Sequence, residues 1–405
     1  MSSEQVVLKI NSGPYAGRSF TFTSPDSLLL GRSSRAHVRI DGDHHISRNH
    51  CLIEVKPPKC HIVDLNSANG TYVNEERVSD RWLNDGDTIR GGETNITVQL
   101  ENNAAQPSRP TPAKPDATCV MTAMSQPEQV ADFSVLCEVG HGAMGIVYKA
   151  EHVVTGQIVA LKLLASDQCV SEKRMQVFVR EAEILRELAH KRIIRFIETG
   201  ADDGRLYIAM EFVDAINLED VLRPLSLKNR IRVVLGLMRQ ILGGLAYAHR
   251  KDLVHRDIKP RNLLVSRDNG KLNARLADFG LAKNFADAGM SQISSEHEIK
   301  GTLSYIAPEQ IVNCRFAKPT ADIFSVGATM YTLISGQTIY NLSNHETPIA
   351  TILNDGPIPL RERAPDVPRA VSEIVDRALA AEPGDRFTSA EEMQRSIEEL
   401  LRPPG

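Results

Sequence analysis

The chain has 405 residues, 42% of them hydrophobic, with 47 basic against 51 acidic side chains and a formal net charge of -4. At roughly 150 residues per domain this length suggests two or three domains, and the apolar content excludes a mostly disordered protein. The near balance of charge argues against a general nucleic-acid binder, which would carry a basic excess, so no nucleic-acid partner is expected.

The opening residues, MSSEQVVLKI, lack the basic start and long apolar centre of a signal peptide. No apolar run in the chain reads as the ~18 residues needed to cross a bilayer. Six cysteines, Cys51, Cys60, Cys119, Cys137, Cys169 and Cys314, form no CxxC pair. They read as free thiols of a reducing compartment. A cytoplasmic protein without a membrane partner is the expectation.

From residue 5 to about 100 the pattern is one of short strands: QVVLKI, SFTF, SLLLGR, HVRI, CLIEV, CHIVDL, TYVN and NITVQL. Gly, Asn, Asp and Pro punctuate them, and nothing between reads as helix, so a β-sandwich is predicted. Three groups fall on loops of this pattern: Gly31-Arg32, Ser47-Arg48-Asn49-His50 and Asn69-Gly70-Thr71. Arg32, Ser47 and Arg48 offer cationic and hydroxyl donors suited to a phosphate dianion, and Asn69 could bond the backbone of an extended peptide. For Arg32 and Arg48 the alternative is a solvated surface charge. The set resembles the forkhead-associated (FHA) domain over residues 4–101. That resemblance implies an all-β sandwich that reads phosphothreonine, with Arg32, Ser47, Arg48 and Asn69 at the phosphopeptide and His50 and Gly70 supporting the loops.

Residues 102–131 are rich in Pro, Ala, Ser and Thr with no apolar period. Such a stretch buries too little surface to offset the ordering of its backbone and is expected to be a flexible linker.

From residue 132 strands come first (FSVLCEVG, GIVYKAEHV, IVALKLL, LYIAMEFV) and helices follow. Apolar residues recur at helical spacing between Asn229 and Arg250, through Ile231, Val234, Leu235, Met238, Ile241, Leu242 and Leu245. Two lobes with a cleft between them are predicted. Gly140, Gly142 and Gly145, followed by Val147, spell GxGxxGxV, a backbone able to approach phosphate oxygens; a tight hairpin turn is the alternative. In Val159-Ala160-Leu161-Lys162 a lysine stands in an apolar strand, where an unpaired charge is costly. Glu181, in the helical stretch FVREAEILREL, could be its partner. Then come HRDIKPRN at 255–262, Asp278-Phe279-Gly280 and Ala307-Pro308-Glu309.

This ordered set resembles the bacterial, eukaryotic-like serine/threonine protein kinases over residues 132–401. The resemblance implies a bilobal α+β fold that follows the sandwich. It implies ATP with Mg²⁺, or Mn²⁺ as an alternative. Lys162 would hold the α- and β-phosphates and be held by Glu181; Asp257 would accept the substrate's hydroxyl proton. Lys259 would touch the γ-phosphate, as in serine/threonine kinases, and Asn262 and Asp278 would bind the metal. Met210, Glu211 and Val213 fall where the family's hinge meets adenine, with Val147, Ala160 and Leu264 around the ring; ordinary core packing is the alternative for each. Asp322 and a pair between Glu309 and Arg386 look structural. His141 within the Gly-rich loop and FAKPT before Asp322 depart from the family pattern.

The expected function is phosphorylation of protein serine and threonine hydroxyls, including the chain's own. The phosphothreonine reader would act on partners or on the chain's own linker. The alternative is a catalytically weak phosphopeptide-binding scaffold. In the activation segment Ser291, Ser294 and Ser295 are candidate phosphorylation sites, and by resemblance Thr302 contacts Asp257 and Lys259. The linker threonines Thr111, Thr118 and Thr122 are candidate autophosphorylation sites.

Overall fold

In the computed structural model the described residues are 4–33, 35–101, 129–142, 145–164, 185–203, 205–279, 303–312, 317–342 and 348–402. Glu181, the linker threonines, Ser291, Ser294, Ser295 and Thr302 lie outside them. The chain divides into two compact units, Met1–Gln126 and Pro127–Gly405.

The first unit is built of two sheets. One runs β2-β1-β11-β10-β7-β8 and the other β4-β3-β5-β6-β9. The strands are β1 (Gln5–Ile10), β2 (Ser19–Phe22), β3 (Asp26–Gly31), β4 (Val38–Arg39), β5 (Cys51–Lys56), β6 (Lys59–Asp64), β7 (Thr71–Val73), β8 (Glu76–Val78), β9 (Asp80–Leu83), β10 (Thr88–Gly91) and β11 (Thr94–Glu101). Alternation explains the core. In QVVLKI every second residue, Val6, Leu8 and Ile10, is buried, and Ile53, Val55, Cys60, Ile62, Ile96 and Val98 join them. Burial pushes the Cys51 and Cys60 thiols up to about 12, so both are neutral packing groups. Strands β8, β9 and β10 have no counterpart among the predicted strands. They are three or four residues long and carry Glu76, Arg77, Asp80, Arg81 and Arg90, which hide the alternation.

The second unit opens on a sheet ordered β12-β13-β14-β15-β17-β16. Its strands are β12 (Gln129–Val130), β13 (Phe133–Gly142), β14 (Gly145–His152), β15 (Ile158–Leu164), β16 (Phe196–Asp202) and β17 (Arg205–Glu211), and a hairpin of β18 (Leu263–Asp268) and β19 (Lys271–Leu276) follows. Gln129 and Val130, expected in the linker, belong to this sheet, and Ala131 forms the turn after them. Gln129 and Val130 pair with Ser134 and Phe133, Val130 is buried, and Ala131 N–H donates to Asp202 Oδ2 at 3.0 Å.

The helices are α1 (Leu218–Leu222), α2 (Leu227–His249), α3 (Pro308–Val312), α4 (Pro319–Ser335), α5 (Pro348–Asn354), α6 (Leu360–Arg363), α7 (Arg369–Ala378) and α8 (Ala390–Leu401). The predicted helix between Asn229 and Arg250 is α2. Its stripe Val234, Met238, Ile241, Leu242 and Leu245 is fully buried in the largest core. By length and composition α2 could cross a membrane, contrary to the reading of the sequence, but 61% of its most apolar window is buried inside the protein. Pro319 of the unmatched FAKPT occupies the first turn of α4, where a missing N–H costs nothing. Gly336, at φ 74°, ends that helix in the left-handed region.

Candidate functional site

Strand register gathers the first set of predicted residues in the second unit. Val147 pairs with Lys162, Ala160 with Lys149 and with Met210, and Gly140 with Val147. Directly opposed residues share a face, and alternate residues on one strand share it too. Val147, Ala160, Lys162 and Met210 therefore lie on one side of the sheet. Tyr148, Ala150, Val159, Leu161 and Ala209 take the other and form a separate core. Gly142 pairs with Gly145, whose φ of 133° suits only glycine; a Cβ there would collide with the Leu163 carbonyl. His141 stands opposite Ile146, on the face away from Lys162, and contacts Glu138 at 3.0 Å.

The second set sits on loops between α2 and β18 and after β19. Asp322 of α4 is their anchor. It is fully buried, and its carboxylate accepts from His255 N–H and Arg256 N–H at 2.8 Å each and from His249 Nε2 at 2.8 Å. Burial alone would raise its pKa; the His249 hydrogen bond and charge and the Arg256 amide outweigh it and hold the group below the ordinary carboxylate value. These bonds fix Arg256 at φ 70°, a left-handed conformation that is uncommon outside glycine. Gln310 of α3 donates to the Arg256 carbonyl at 3.0 Å and holds the same turn from the other side. His255 donates through Nε2 to the Ala277 carbonyl at 2.9 Å, and its Nδ1 accepts from Asp257 N–H at 3.2 Å.

Asp257 has both carboxylate oxygens engaged. Lys259 Nζ lies 2.9 Å from Oδ1, and Asn262 Nδ2 lies 3.1 Å from Oδ2 and 2.7 Å from the Asp257 carbonyl. Ala277 N–H donates to the Asn262 carbonyl at 2.9 Å, which brings Asp278 alongside. Asp278, at φ 58°, receives Lys162 Nζ at 2.7 Å; Lys162 is only 4% exposed, so its charge is answered within the fold. Glu181, the partner expected for Lys162, is outside the described residues. Phe279 packs edge-on against His255, with ring centroids 4.7 Å apart. Glu211 is tied by its carboxylate to Arg275, and its N–H donates to the Arg195 carbonyl at 2.8 Å. Val213 and Leu264 are half-buried against the large core. The expected pair of Glu309 and Arg386 forms bidentately, at 2.6 and 2.9 Å, with Arg386 buried.

The donors suit a hard divalent cation. Both bonds of the Asn262 side chain to Asp257 use Nδ2 and leave the Oδ1 acceptor to face a cation. Among the described residues no group of three or more His, Cys, Asp or Glu side chains could hold a metal. A cation here would complete its shell with phosphate oxygens and water, as Mg²⁺ commonly does.

In the first unit the loop groups are tied to one another through backbone. Arg32 N–H donates to the Ser47 carbonyl at 3.0 Å and Ser33 N–H to the Arg48 carbonyl at 2.8 Å. A Cβ on Gly31 would strike the Arg48 carbonyl, which explains the glycine before Arg32. Arg32 Nε is bonded to the Ile46 carbonyl at 2.5 Å, which aims the outer guanidinium nitrogens of this exposed side chain. Ser47 Oγ accepts from Ala68 N–H at 2.9 Å and Asn69 Nδ2 donates to the His45 carbonyl at 2.8 Å, so two loops are clasped together. Arg48 and Asn69 are exposed. His50 is buried, and its Nδ1 accepts from Ser47 N–H at 3.1 Å. Burial holds its imidazole below the ordinary value, against the nearby Asp64 carboxylate.

A family model for the protein kinase domain matches residues 133–397, and one for the FHA domain matches residues 28–92. Among curated proteins the chain is similar to the serine/threonine-protein kinase PknJ of Mycobacterium tuberculosis, 34% identical over 266 residues covering 65% of this chain and 44% of PknJ. It is also similar to PrkC of Bacillus subtilis, 30% identical over 269 residues, 65% of this chain and 40% of PrkC. The chain thus spans less than half the length of these relatives. Among solved structures the kinase domain of PknI from M. tuberculosis aligns with a TM-score of 0.51 at 28% identity, over 67% of this chain and 96% of that one. Rad53 1-466 in complex with AMP-PNP aligns at 0.52 and 22% identity over 97% of this chain and all of that one, a likeness of fold alone.

Proposed function

The chain belongs to the protein kinase family, and with that as premise we propose that it transfers the γ-phosphoryl group of ATP to serine and threonine hydroxyls of proteins, itself included. The observation that carries this reading is Asp257, held through one oxygen by Lys259 and through the other by Asn262. A carboxylate so held can accept the proton of an incoming hydroxyl, while Lys259 sets a positive charge beside the developing negative one. Asn262 Oδ1 and Asp278 would hold Mg²⁺, with Mn²⁺ as a substitute. Lys162, now on Asp278, would turn to the α- and β-phosphates, with Glu181 as its second partner. Val147, Ala160, Met210, Val213 and Leu264 would enclose adenine, and the Glu211 backbone would mark its edge, since the Glu211 side chain is committed to Arg275. Gly140, Gly142 and Gly145 would let the backbone approach the phosphates. Bound Mg²⁺ and ATP supply the transferable group and the charge neutralisation; the protein positions.

The FHA domain is proposed to bind phosphothreonine segments through Arg32, Ser47, Arg48 and Asn69. Their source is a partner protein or the chain's own linker, where Thr111, Thr118 and Thr122 stand on a short tether that gives a high effective concentration. A cytoplasmic location, where ATP is supplied, belongs to the same proposal.

The test is phosphate incorporation from radiolabelled ATP with Mg²⁺ by the whole chain and by Asp257→Asn. The variant should be slower by at least about a hundredfold. Equal rates would sink the catalytic assignment and favour the scaffold. Mass spectrometry of the wild-type product then decides the linker question. Unmodified linker threonines would assign the FHA ligand to another protein.

A further inference from the structure

The chain has a single tryptophan, Trp82, and it stands in the first unit on the edge strand β9, 59% exposed. Among the described residues of that unit it is the one large apolar side chain left so open. Cross-strand register places it in a row, Glu54 opposite His61 and His61 opposite Trp82. The alternate residues Ile53, Val55, Cys60, Ile62 and Leu83 point into the sandwich core, so the row lies on the outer face. Asp80, two residues before Trp82, shares that face.

The imidazole of His61 stacks at a tilt on the indole, with centroids 4.7 Å apart. It stands between two carboxylates, 3.9 Å from Glu54 and 3.8 Å from Asp80. Both distances are beyond a hydrogen bond, so neither acid is consumed by the ring. Their side chains are 42% and 70% exposed. A largely exposed indole flanked by two available carboxylates on an edge strand is an arrangement that attracts a planar cation. A guanidinium can stack on the ring and present its N–H fork to a carboxylate at once, which an ammonium cannot do.

We propose that Trp82, with Glu54, His61 and Asp80, forms a second recognition surface on the FHA domain, which takes an arginine side chain from a partner protein. The surface lies outside the loops of Arg32, Ser47, Arg48 and Asn69 and shares no side chain with them. It therefore adds a requirement for arginine to a partner's docking independently of its phosphorylation.

The single tryptophan supplies the readout. The full chain is titrated with an unphosphorylated peptide that carries one arginine among glycines and serines, and with the same peptide carrying citrulline or lysine, while Trp82 emission is followed. The arginine peptide should give a saturable change. Lysine should bind more weakly, and citrulline, which keeps the shape without the charge, should be at least about tenfold weaker. Glu54→Gln with Asp80→Asn should cost the arginine peptide about tenfold while phosphothreonine-peptide affinity and phosphate transfer stay unchanged. Equal behaviour of arginine and citrulline, no saturable change, or full affinity in the double variant would each overturn the proposal and leave Trp82 as a cover for the sheet edge. Failure of the phosphothreonine reading would appear separately, as loss of phosphopeptide binding in the wild type.

Discussion

The two candidate sites are organised in opposite ways. In the second unit the charged groups face one another: Lys162 meets Asp278, Lys259 meets Asp257, and Asp322 is buried beneath three donors. In the first unit the predicted ligand-binding side chains are exposed or half-exposed, and the bonds that hold them run to uncharged loop groups: Arg32 Nε to the Ile46 carbonyl, Ser47 Oγ to the Ala68 N–H and Asn69 Nδ2 to the His45 carbonyl. A site for chemistry has to hold charge in place before its substrate arrives, because reorganisation during the reaction raises the barrier. A site for recognition can leave its cations in water and fix only their starting points. Loss of one side chain should therefore unsettle the fold in the first case and only affinity in the second.

The largest expected effect is at Asp322. Asp322→Ala strands the buried His255 N–H and the part-buried Arg256 N–H and releases the left-handed turn at Arg256, at a cost of about 3–5 kcal/mol. Urea unfolding followed by circular dichroism should show the second unit's transition at much lower denaturant. A shift under about 1 kcal/mol would mean that the turn is held by Gln310 and the surrounding packing instead.

A smaller effect is expected at Ser47. Ser47→Ala removes the acceptor for Ala68 N–H and one candidate phosphate donor, so phosphothreonine-peptide affinity should fall about tenfold, as read by calorimetry. Global stability should hardly move. Loss of stability without loss of affinity would invert the comparison.

The smallest effect concerns pH. His50 is kept neutral by burial, and its folded pKa lies below the value of about 6.5 in an unfolded chain. The unfolded state then binds more protons below that pH, so the first unit's stability is complete above it and declines as pH falls, by less than about 1.4 kcal/mol per pH unit. His37, also held low by burial, adds in the same direction. Trp82 emission during unfolding at pH 5 and pH 7.5 measures this, and His50→Gln should flatten the slope. An unchanged slope would place the proton elsewhere.

The difference between the units also decided what could be read from sequence. HRDIKPRN and its companions are contiguous and ordered, and Glu309, in Ala307-Pro308-Glu309, was legible as a partner for Arg386. The buried role of Asp322 was legible only as structural; that it sets the Arg256 backbone depends on a contact 66 residues apart. The pairing of Lys162 with Asp278 spans 116 residues and no local pattern signals it. In the first unit eight strands stand out as β-branched and aliphatic runs, with the clearest alternation in β1 and β11, whereas β8, β9 and β10 are short and charged and show no such run. The surface around Trp82 was missed for that reason: it exists only once β9 is paired with β6. Ser47 and Asn69 were read as ligand donors, and the structure adds that each also clasps the opposite loop, a duty that residue type alone does not reveal.

The most direct test of the account is one experiment on two variants of the full chain, Lys162→Met and Arg32→Ala, each measured for phosphate transfer to a generic serine/threonine peptide and for phosphothreonine-peptide affinity. Lys162→Met should lose transfer by at least about a hundredfold and keep affinity, while Arg32→Ala should lose affinity by at least about tenfold and keep transfer. Loss of both activities in either variant, or of neither, would contradict the division into a site that writes and a site that reads.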